Sequence, residues 1–217
     1  MVLPEPDKPL IRTSCIRSAK GGESSYGSIG ILIEDASMNF RQAFRWKPHP
    51  ALAGAPFWLR PWLADPGSLT ARIVARCARF EVRVLFEGRA RPFADERALI
   101  GLPLGRLAWT REVLLFADGI PVVFAHSVLA PQDLNGAWHM AQAIGARPLG
   151  AALFADPSIR RSPLSTARLD RRHPLHRHAS AALGISLPTL WGRRSRFCRL
   201  GRPLLVTEVF LPEIVRL

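Results

Sequence analysis

One short apolar stretch near the end of the chain constrains the fold most strongly. Residues 203–212 read PLLVTEVFLP, and a strand places alternate side chains of such a stretch on opposite faces. Both faces are then apolar, which is typical of a central strand covered on both sides. The exception is Glu208, because a carboxylate between Val206 and Phe210 loses its hydration. This acid needs a partner or stays protonated, as acids of functional sites and of structural ion pairs both do.

A second buried charge is predicted on the strand at 108–116, AWTREVLLF. Alternation places Arg111 in one row with Trp109 and Val113, and arginine does not lose its charge on burial. Two interpretations are open. Either Arg111 and Glu208 pair across the sheet as a buried salt bridge, or both face a pocket and bind the two ends of one ligand.

The remaining pattern predicts an α+β fold, a single antiparallel sheet with helices packed on it. Strands are predicted at 80–87, 108–116, 121–129, 196–200 and 203–212. In the first of these, Phe86 is predicted to point inward and Glu87 outward. The turn Ala117-Asp118-Gly119 makes a hairpin of its two flanking strands. Because strands and helices are grouped along the chain and do not alternate, the sheet is predicted to be antiparallel.

Helices are predicted at 56–64, at 69–77 with Ser68 as its N-cap, and in two pieces within 134–153. In the last region Gly145 is predicted as a C-terminal cap and Pro148 as a first-turn residue.

The 217 residues are enough for one domain, or for one domain with an extension. Residues 20–30, KGGESSYGSIG, are polar and rich in glycine, so we predict a disordered extension at 1–45 and a folded domain at 46–217. The change in composition also raises the hypothesis that translation starts at Met38. The first residues lack the order of a signal peptide, and no apolar run is long enough to span a membrane.

The net charge of +13 comes mostly from arginine and suggests nucleic acid or a small acidic substrate as the partner. A solvated arginine-rich surface would give the same charge, so charge alone does not decide. Three cysteines, Cys15, Cys77 and Cys198, are too few and too far apart for a disulfide framework or a zinc site. They indicate a reducing cytoplasm.

Two basic segments in the last third of the chain have alternative interpretations. HPLHRH at 173–178 lacks an accompanying acid or cysteine, so it predicts part of a mobile loop at 156–188 and not a metal site. LWGRRSR at 190–196 is compatible with an RNA-binding segment, but the aromatic residues that would stack on bases are placed in core patterns.

Five blocks of sequence, in this order, resemble the chorismate–pyruvate lyases of ubiquinone biosynthesis. The blocks are WLADPGSLTAR, WTREVLLFADGIPVVFAHSVL, IGARPLGAALF, LWGRRSRF and PLLVTEVFLP, within residues 56–212. The resemblance implies an antiparallel sheet with helical and loop lids over an enclosed ligand pocket. It implies chorismate as substrate, 4-hydroxybenzoate and pyruvate as products, and no redox cofactor or metal.

The resemblance also implies roles for individual residues. Arg111 of the WTRE strand would hold the ring carboxylate, and Glu208 would meet the hydroxyl at the opposite end of the ring. These two are the predicted catalytic residues, and Glu208 either binds the hydroxyl or exchanges a proton. Leu149 of PLG and Leu69, where the family usually has methionine, complete the predicted binding set.

Further expectations follow from the two charges of the substrate and from the same resemblance. A second carboxylate of the substrate would be neutralised by Arg161 or by an arginine within 193–196. The protein is expected to be a cytoplasmic monomer that binds no nucleic acid and does not insert into membranes. The alternative is a non-catalytic effector-binding domain of the same fold, as in some bacterial transcription regulators. Those carry a winged helix–turn–helix upstream, for which residues 1–45 are too short and too rich in glycine.

Overall fold

The computed structural model describes residues 46–217, so the predicted extension at 1–45 and the hypothesis of a start at Met38 lie outside the described residues. The strands are β1 (Phe80–Ala90), β2 (Ala108–Ala117), β3 (Ile120–Leu129), β4 (Arg160–Arg161), β5 (Ser165–Leu169), β6 (Leu190–Arg199) and β7 (Arg202–Phe210). The α-helices are α1 (Arg60–Ala64), α2 (Leu69–Val74), α3 (His139–Gln142), α4 (Leu149–Ala155) and α5 (Pro174–Leu183). Short 3-10 helices occupy Pro50–Ala53, Phe57–Leu59, Pro131–Asn135 and Pro212–Arg216.

The strands form one antiparallel sheet in the order β1-β2-β3-β7-β6-β4, and β5 also pairs with β6. Helices pack on both faces of this sheet, which confirms the predicted α+β class. β7 lies between β3 and β6, as its two apolar faces predicted. Every helix within residues 46–217 is too short or too polar to traverse a lipid bilayer.

The turn between β2 and β3 has the chemistry of a tight hairpin. Asp118 has a φ of 50° and Gly119 a φ of 80°, and two successive positive φ angles match the right-handed twist of the strands. The Asp118 carboxylate also accepts a hydrogen bond of 2.7 Å from the backbone N–H of Arg79. The predicted hairpin is therefore confirmed.

A bulge in β1 changes the predicted orientation of its second half. Val84 pairs with Val113, but the next pair is Phe86 with Glu112, so one residue is inserted. Phe86 consequently lies on the opposite face from Val84, and Glu87 lies directly across from Arg111. The prediction of Phe86 inward and Glu87 outward is wrong, because the strict alternation on which it rests does not hold across a bulge.

The helix predicted at 56–64 is a 3-10 helix at Phe57–Leu59 followed by α1, and the next helix begins as predicted. The Ser68 hydroxyl accepts a hydrogen bond of 3.3 Å from the backbone N–H of Ala71, which caps α2. Leu69 and Ile73 are buried in the core. However, α2 ends at Val74 and does not continue to residue 77.

The region 134–153 contains shorter helices than predicted. α3 ends at Gln142, and Gly145, with a φ of 53°, lies in the turn that follows. Pro148 has extended backbone angles and precedes α4 as its N-cap residue, so it is not part of the first turn. Gly145 and Pro148 thus lie between α3 and α4 and belong to neither helix.

The prediction of a mobile loop at 156–188 is wrong. β4, β5 and α5 all lie in this segment. α5 packs Leu175 and Ala179 against Phe124 and Val209 on one face of the sheet. Only a narrow apolar stripe of α5 is needed for this contact, which is why the many polar residues around it resembled a loop.

The three histidines of HPLHRH have separate structural partners. His173 caps α5 by accepting a hydrogen bond of 3.1 Å from the N–H of Leu175. His176 contacts the carbonyl of Pro188 at 2.8 Å. His178 contacts the carboxylate of Glu112 at 2.7 Å. Throughout residues 46–217, no group of three or more His, Cys, Asp or Glu side chains is arranged to hold a metal ion.

The segment LWGRRSR is a strand and not a surface-exposed basic segment. It forms the first part of β6, which starts at Leu190 and so extends the strand predicted at 196–200. Arg193 is 1% exposed, while Arg196 is exposed. The central arginine therefore faces the interior, which removes it from any surface contact with nucleic acid.

A cluster of two acids and two histidines lies on the α5 face of the sheet. His126 is buried between Glu112, at 2.9 Å from Nδ1, and Glu96, at 3.2 Å from Nε2. His178 of α5 contacts the same oxygen of Glu112. Phe93 stacks on the His126 ring at a centroid distance of 5.0 Å. The contacts of this cluster link four parts of the fold, namely α5, β2, β3 and the connection between β1 and β2.

The charges of this cluster change the pKa values of its members. Burial alone would lower the pKa of His126, but attraction to Glu96 and Glu112 outweighs it and raises the pKa to about 9. Burial alone would raise the pKa of Glu112, but hydrogen bonds from His126 and His178 outweigh it and lower the pKa to about 2. His126 is therefore a cation at neutral pH.

We expect the stability of the protein to fall on the alkaline side because of His126. A histidine whose pKa rises from 6.5 to about 9 on folding stabilises the fold fully below pH 6.5 and loses that contribution as pH rises through about 9. The loss is on the order of 3 kcal/mol. Urea unfolding between pH 6 and 10 measures it, and His126→Gln should flatten the decline.

The exposed His139 provides a matched control, since His139→Gln should leave the pH profile of unfolding unchanged. Identical alkaline profiles for the wild type and His126→Gln would contradict the assignment of a buried imidazolium.

Candidate active site

A narrow cavity of about 40 Å³ lies between the sheet and the starts of α2 and α4. Its wall is largely apolar and includes Val82, Val113, Leu115, Ala125 and Val206 from four strands. Arg111 and Glu208 are its two charged members. The sequence left open whether these two anomalous charges pair with each other or face one pocket, and the structure brings both to one cavity.

The strand register explains how Arg111 and Glu208 reach the same cavity. Arg111 pairs with Ser127 of β3, and Ala125, two residues away, pairs with Glu208 of β7. Alternate residues of β3 share a face, so both charged side chains project to the same side of the sheet. One strand separates β2 from β7, which places their backbones about 10 Å apart.

Arg111 is a buried cation with unused hydrogen-bond donors. It is 2% exposed, and its Nη2 donates to the carbonyl oxygens of Gly145 at 2.7 Å and Arg147 at 3.3 Å. The Glu87 carboxylate lies 3.8 Å from Nη1, too far for a hydrogen bond. Nε and Nη1 therefore have no hydrogen-bond partner among the residues described. Burial lowers the pKa of Arg111, and the nearby charge of Glu87 opposes that shift.

Glu208 is paired with a different arginine. Its Oε2 accepts a hydrogen bond of 2.6 Å from Nε of Arg193, the residue directly opposite on β6. Nη1 of Arg193 donates to the carbonyl oxygens of Trp62 and Asp65, each at 2.8 Å. Arg111 and Glu208 thus do not pair with each other, and the interpretation as a cross-sheet salt bridge is wrong.

The two predicted leucines occupy different places. Leu149, the first residue of α4, lines the cavity. The side chain of Leu69 packs in the core, and its neighbour Thr70 lines the cavity in its place. α2 and α4 meet closely here, since a Cβ on Gly150 would lie 3.2 Å from Oγ1 of Thr70. The structure therefore brings Arg111, Leu149 and Glu208 to one cavity, while Leu69 lies in the adjacent hydrophobic core and does not line that cavity.

Sequence reasoning missed Thr70 and Ser127, and it named Arg193 only within the range 193–196 and not as the partner of Glu208. Arg193 could have been found by reading LWGRRSR as a strand, because alternation places it in one row with the core residue Trp191. Ser127 follows from the same alternation in β3. Nothing in the sequence marks Thr70, since its position depends on how α4 packs against α2.

The fold and the cavity define an α+β protein that holds a buried arginine and a partly buried glutamate in one pocket against an antiparallel sheet. A family model described as chorismate lyase matches residues 40–216. The chain belongs to the chorismate lyase family, which confirms the resemblance identified from the five sequence blocks.

Similar proteins cover nearly the same region. A protein of Aromatoleum aromaticum named probable chorismate pyruvate-lyase is 58% identical over 174 residues, 79% of this chain and 94% of that protein. A protein of the same name from an Azoarcus species is 55% identical over 163 residues, 73% of this chain and 86% of that protein. The effector domain of PhnF from Mycobacterium smegmatis aligns with a TM-score of 0.46 at 15% identity, covering 68% of this chain and 90% of that domain.

The pair of Arg193 and Glu208 predicts a large loss of stability for Arg193→Met. The substitution leaves Glu208 and two carbonyl oxygens without their donor, and breaking one side of a buried pair costs about 3–5 kcal/mol. Thermal and urea unfolding measure the loss. Arg196→Met, an exposed arginine on the same strand, is the matched control and should unfold like the wild type. Equal stability of both variants would mean that the buried pair contributes nothing.

Proposed function

We propose that this protein is a chorismate lyase in which Arg111 and Glu208 hold opposite ends of the substrate ring. The reaction removes the enolpyruvyl side chain of chorismate as pyruvate and leaves 4-hydroxybenzoate. The observation that carries the proposal is a single cavity containing a buried arginine with unused donors and, across β3, a glutamate. A ring with a carboxylate and a hydroxyl in para positions matches that arrangement.

Arg111 is proposed to bind the ring carboxylate. Its contacts with the carbonyls of Gly145 and Arg147 fix the direction of the guanidinium before a ligand arrives. Two of its nitrogens have no protein acceptor in the described chain, so a carboxylate would form charge-assisted hydrogen bonds there. Such a carboxylate would also neutralise a cation whose nearest acid, Glu87, is 3.8 Å away.

Glu208 is proposed to act at the hydroxyl end of the ring. The bond from Arg193 occupies one of its oxygens and leaves the other for a ligand. In aromatisation the bond between C3 and the ether oxygen breaks, and its electron pair leaves with the enolate of pyruvate. The C4–H electron pair completes the aromatic ring, and the enolate gains a proton to become pyruvate, so the proton lost from C4 is balanced. Glu208 either binds the C4 hydroxyl or takes part in the transfer of that proton. Both roles need an oriented carboxylate, which the Arg193 pair supplies.

The cavity must enlarge to admit such a ligand. Its volume of about 40 Å³ is far below the roughly 300–1,000 Å³ of common ligand pockets. The segments that cover it are the starts of α2 and α4, with Thr70 and Leu149 as the covering side chains. We therefore propose that these two segments act as lids that open for the substrate and then exclude water.

The rest of the proposal follows from family membership. We propose Leu69, Arg111, Leu149 and Glu208 as the ligand-binding set, with Leu69 included on the family resemblance alone. We also propose that the protein works as a monomer in the cytoplasm, at the first committed step of ubiquinone biosynthesis. Its partners would be chorismate and 4-hydroxybenzoate, with no nucleic acid.

A direct test mixes purified protein with chorismate and follows 4-hydroxybenzoate by absorbance and pyruvate by a coupled assay. We expect equal amounts of both products from the wild type and none above background from Arg111→Ala. The variant should also bind 4-hydroxybenzoate more weakly by about 2–5 kcal/mol, because a buried carboxylate loses its charged partner.

Arg106→Ala removes an exposed arginine and serves as the control for a simple change of net charge. Wild-type affinity for 4-hydroxybenzoate in Arg111→Ala would refute the carboxylate contact. Tight binding without turnover in the wild type would instead indicate an effector-binding domain. Absence of both binding and turnover would leave nucleic acid as the next partner to test, through its salt dependence.

Glu208→Gln should keep the fold and slow turnover. The amide preserves the shape of the side chain but cannot accept a proton, so a role in proton transfer predicts a fall in kcat of about 100-fold or more. A role in binding alone predicts a smaller fall and a raised KM. Steady-state kinetics with chorismate separate the two roles, and unchanged kinetics would mean that the carboxylate is purely structural.

A further inference from the structure

We propose that Arg161 binds the carboxylate of the enolpyruvyl side chain and so distinguishes the substrate from its ring product. The inference rests on the proposed lyase function and adds the residue that recognises the second charge of chorismate. Arg161 is the only arginine of β4 that is partly buried, since its neighbour Arg160 is exposed. Its guanidinium is held in place by neutral groups.

Three hydrogen bonds fix the Arg161 guanidinium. Nε donates to the hydroxyl of Ser195 at 2.7 Å. Nη1 donates to the carbonyl oxygens of Pro66 at 2.5 Å and Gly67 at 3.4 Å. These carbonyls belong to the segment that leads into α2, one of the two proposed lids. Arg161 is thus tied both to the sheet and to a lid.

Aromatic rings hold the same group from the side. The guanidinium lies 5.2 Å from the ring centroid of Phe154 and 5.3 Å from that of Phe197. Cation–π contacts at these distances stabilise a charged group without neutralising it. Arg161 therefore keeps a defined position and a full charge.

The strand register places Ser195, the residue that Arg161 contacts, two residues from the partner of Glu208, while Arg161 itself lines the neighbouring groove. Arg193 pairs with Glu208, and Ser195, two residues further along β6, pairs with Val206. Both Val206 and Glu208 line the cavity, so Ser195 and the Arg161 side chain bound to it lie on the cavity face. Alternate residues of a strand are about 7 Å apart, which sets the scale of the separation from Glu208.

Arg161 has no acid of its own. Within residues 46–217 no carboxylate oxygen lies within 4.0 Å of its nitrogens, whereas Arg193 is paired with Glu208. Burial lowers the pKa of Arg161, and the charge of Glu208 opposes the shift. Nη2 of Arg193 is also buried without an acceptor in the described chain. This corner of the site has spare positive charge and unused donors.

The chemistry of chorismate requires a cation at this corner. The side chain is attached at C3, next to the C4 hydroxyl that Glu208 is proposed to meet. Its carboxylate therefore falls near the Glu208 end of the cavity and away from Arg111. A carboxylate buried there without a cation would carry a large desolvation cost. Arg161 supplies the missing charge, while 4-hydroxybenzoate has no second carboxylate and does not need it.

A groove on the outer side of Arg161 gives the side chain a route to solvent. The groove has a volume of about 550 Å³ and is lined by Arg161, Pro66, Phe154 and Leu164 among others. Arg161 thus forms part of the wall of this groove while it binds Ser195 on the cavity face. Pyruvate released at the Glu208 end would leave past Arg161 into the groove.

Arg161→Met tests this inference, because methionine fills similar space without charge. We expect kcat/KM for chorismate to fall about 30-fold or more, as for a buried carboxylate that loses its cation. The dissociation constant of 4-hydroxybenzoate should change less than about threefold, since that ligand lacks the second carboxylate. Arg160→Met is the matched control and should behave as the wild type. Arg161→Lys should recover part of the lost kcat/KM by restoring the charge.

A non-reacting ligand keeps the test independent of turnover. The aromatic ether 3-(1-carboxyvinyloxy)benzoate carries both carboxylates and cannot eliminate pyruvate by aromatisation. The wild type should bind it, and Arg161→Met should bind it about 30-fold more weakly. This result can be obtained even if chorismate is not turned over, so it separates the Arg161 assignment from the lyase proposal.

Two results would overturn the assignment. One is an equal loss of affinity for 4-hydroxybenzoate and for the dicarboxylate in both Arg161→Met and Arg161→Lys, which would mean that Arg161 only supports the lid. The other is unchanged affinity for the dicarboxylate in Arg161→Met. Thermal unfolding of each variant shows whether a loss of affinity is due to misfolding. If Arg161→Met is misfolded, the affinities of Arg161→Lys for the two ligands are compared instead.

Discussion

The buried guanidinium of Arg193 is the group on which the arrangement of this site depends. A fully buried cation persists only where acceptors surround it, and here they come from a strand carboxylate and two helix-end carbonyls. The contacts therefore tie β6 to β7 and also bring the end of α1 down onto the sheet. The start of α2 follows α1 after a short turn, so its place over the cavity depends on the same contacts.

Arg111 lies on the same face of the sheet as Arg193 but differs from it in its hydrogen-bond partners. Its carbonyl contacts come from the turn before α4, so it positions the second covering segment much as Arg193 positions the first. Its remaining donors are unsatisfied, whereas Arg193 has a carboxylate partner. One arginine is thus held by a carboxylate, and the other keeps unsatisfied donors that we propose for a ligand. The difference between the two arginines is therefore a difference in their hydrogen-bond partners.

The two faces of the sheet differ in how their buried charges are paired. On the α5 face, the charges of His126 and Glu112 neutralise one another and hold the helix. On the cavity face, Glu87 lies 3.8 Å from Arg111 without a hydrogen bond, and no carboxylate of residues 46–217 lies within 4.0 Å of Arg161. Arg111, Arg161 and Arg193 thus outnumber the acids Glu87 and Glu208 around the pocket. Part of the +13 charge of the chain therefore lies around the cavity and not on the outer surface. This is the physical reason why composition alone could not choose between nucleic acid and a small acid.

The sequence by itself determined the strands β1, β2, β3 and β7, the hairpin, the α+β class and the two anomalous charges, because alternation and turn chemistry are local. It missed β4, β5 and the first half of β6. The family followed from five blocks of sequence. Only the tertiary structure decided which charges pair. The bulge in β1 places Glu87 opposite Arg111, and the register of β6 on β7 places Arg193 opposite Glu208. Register and bulges depend on contacts between distant strands, and no local pattern encodes a contact with a residue far along the chain.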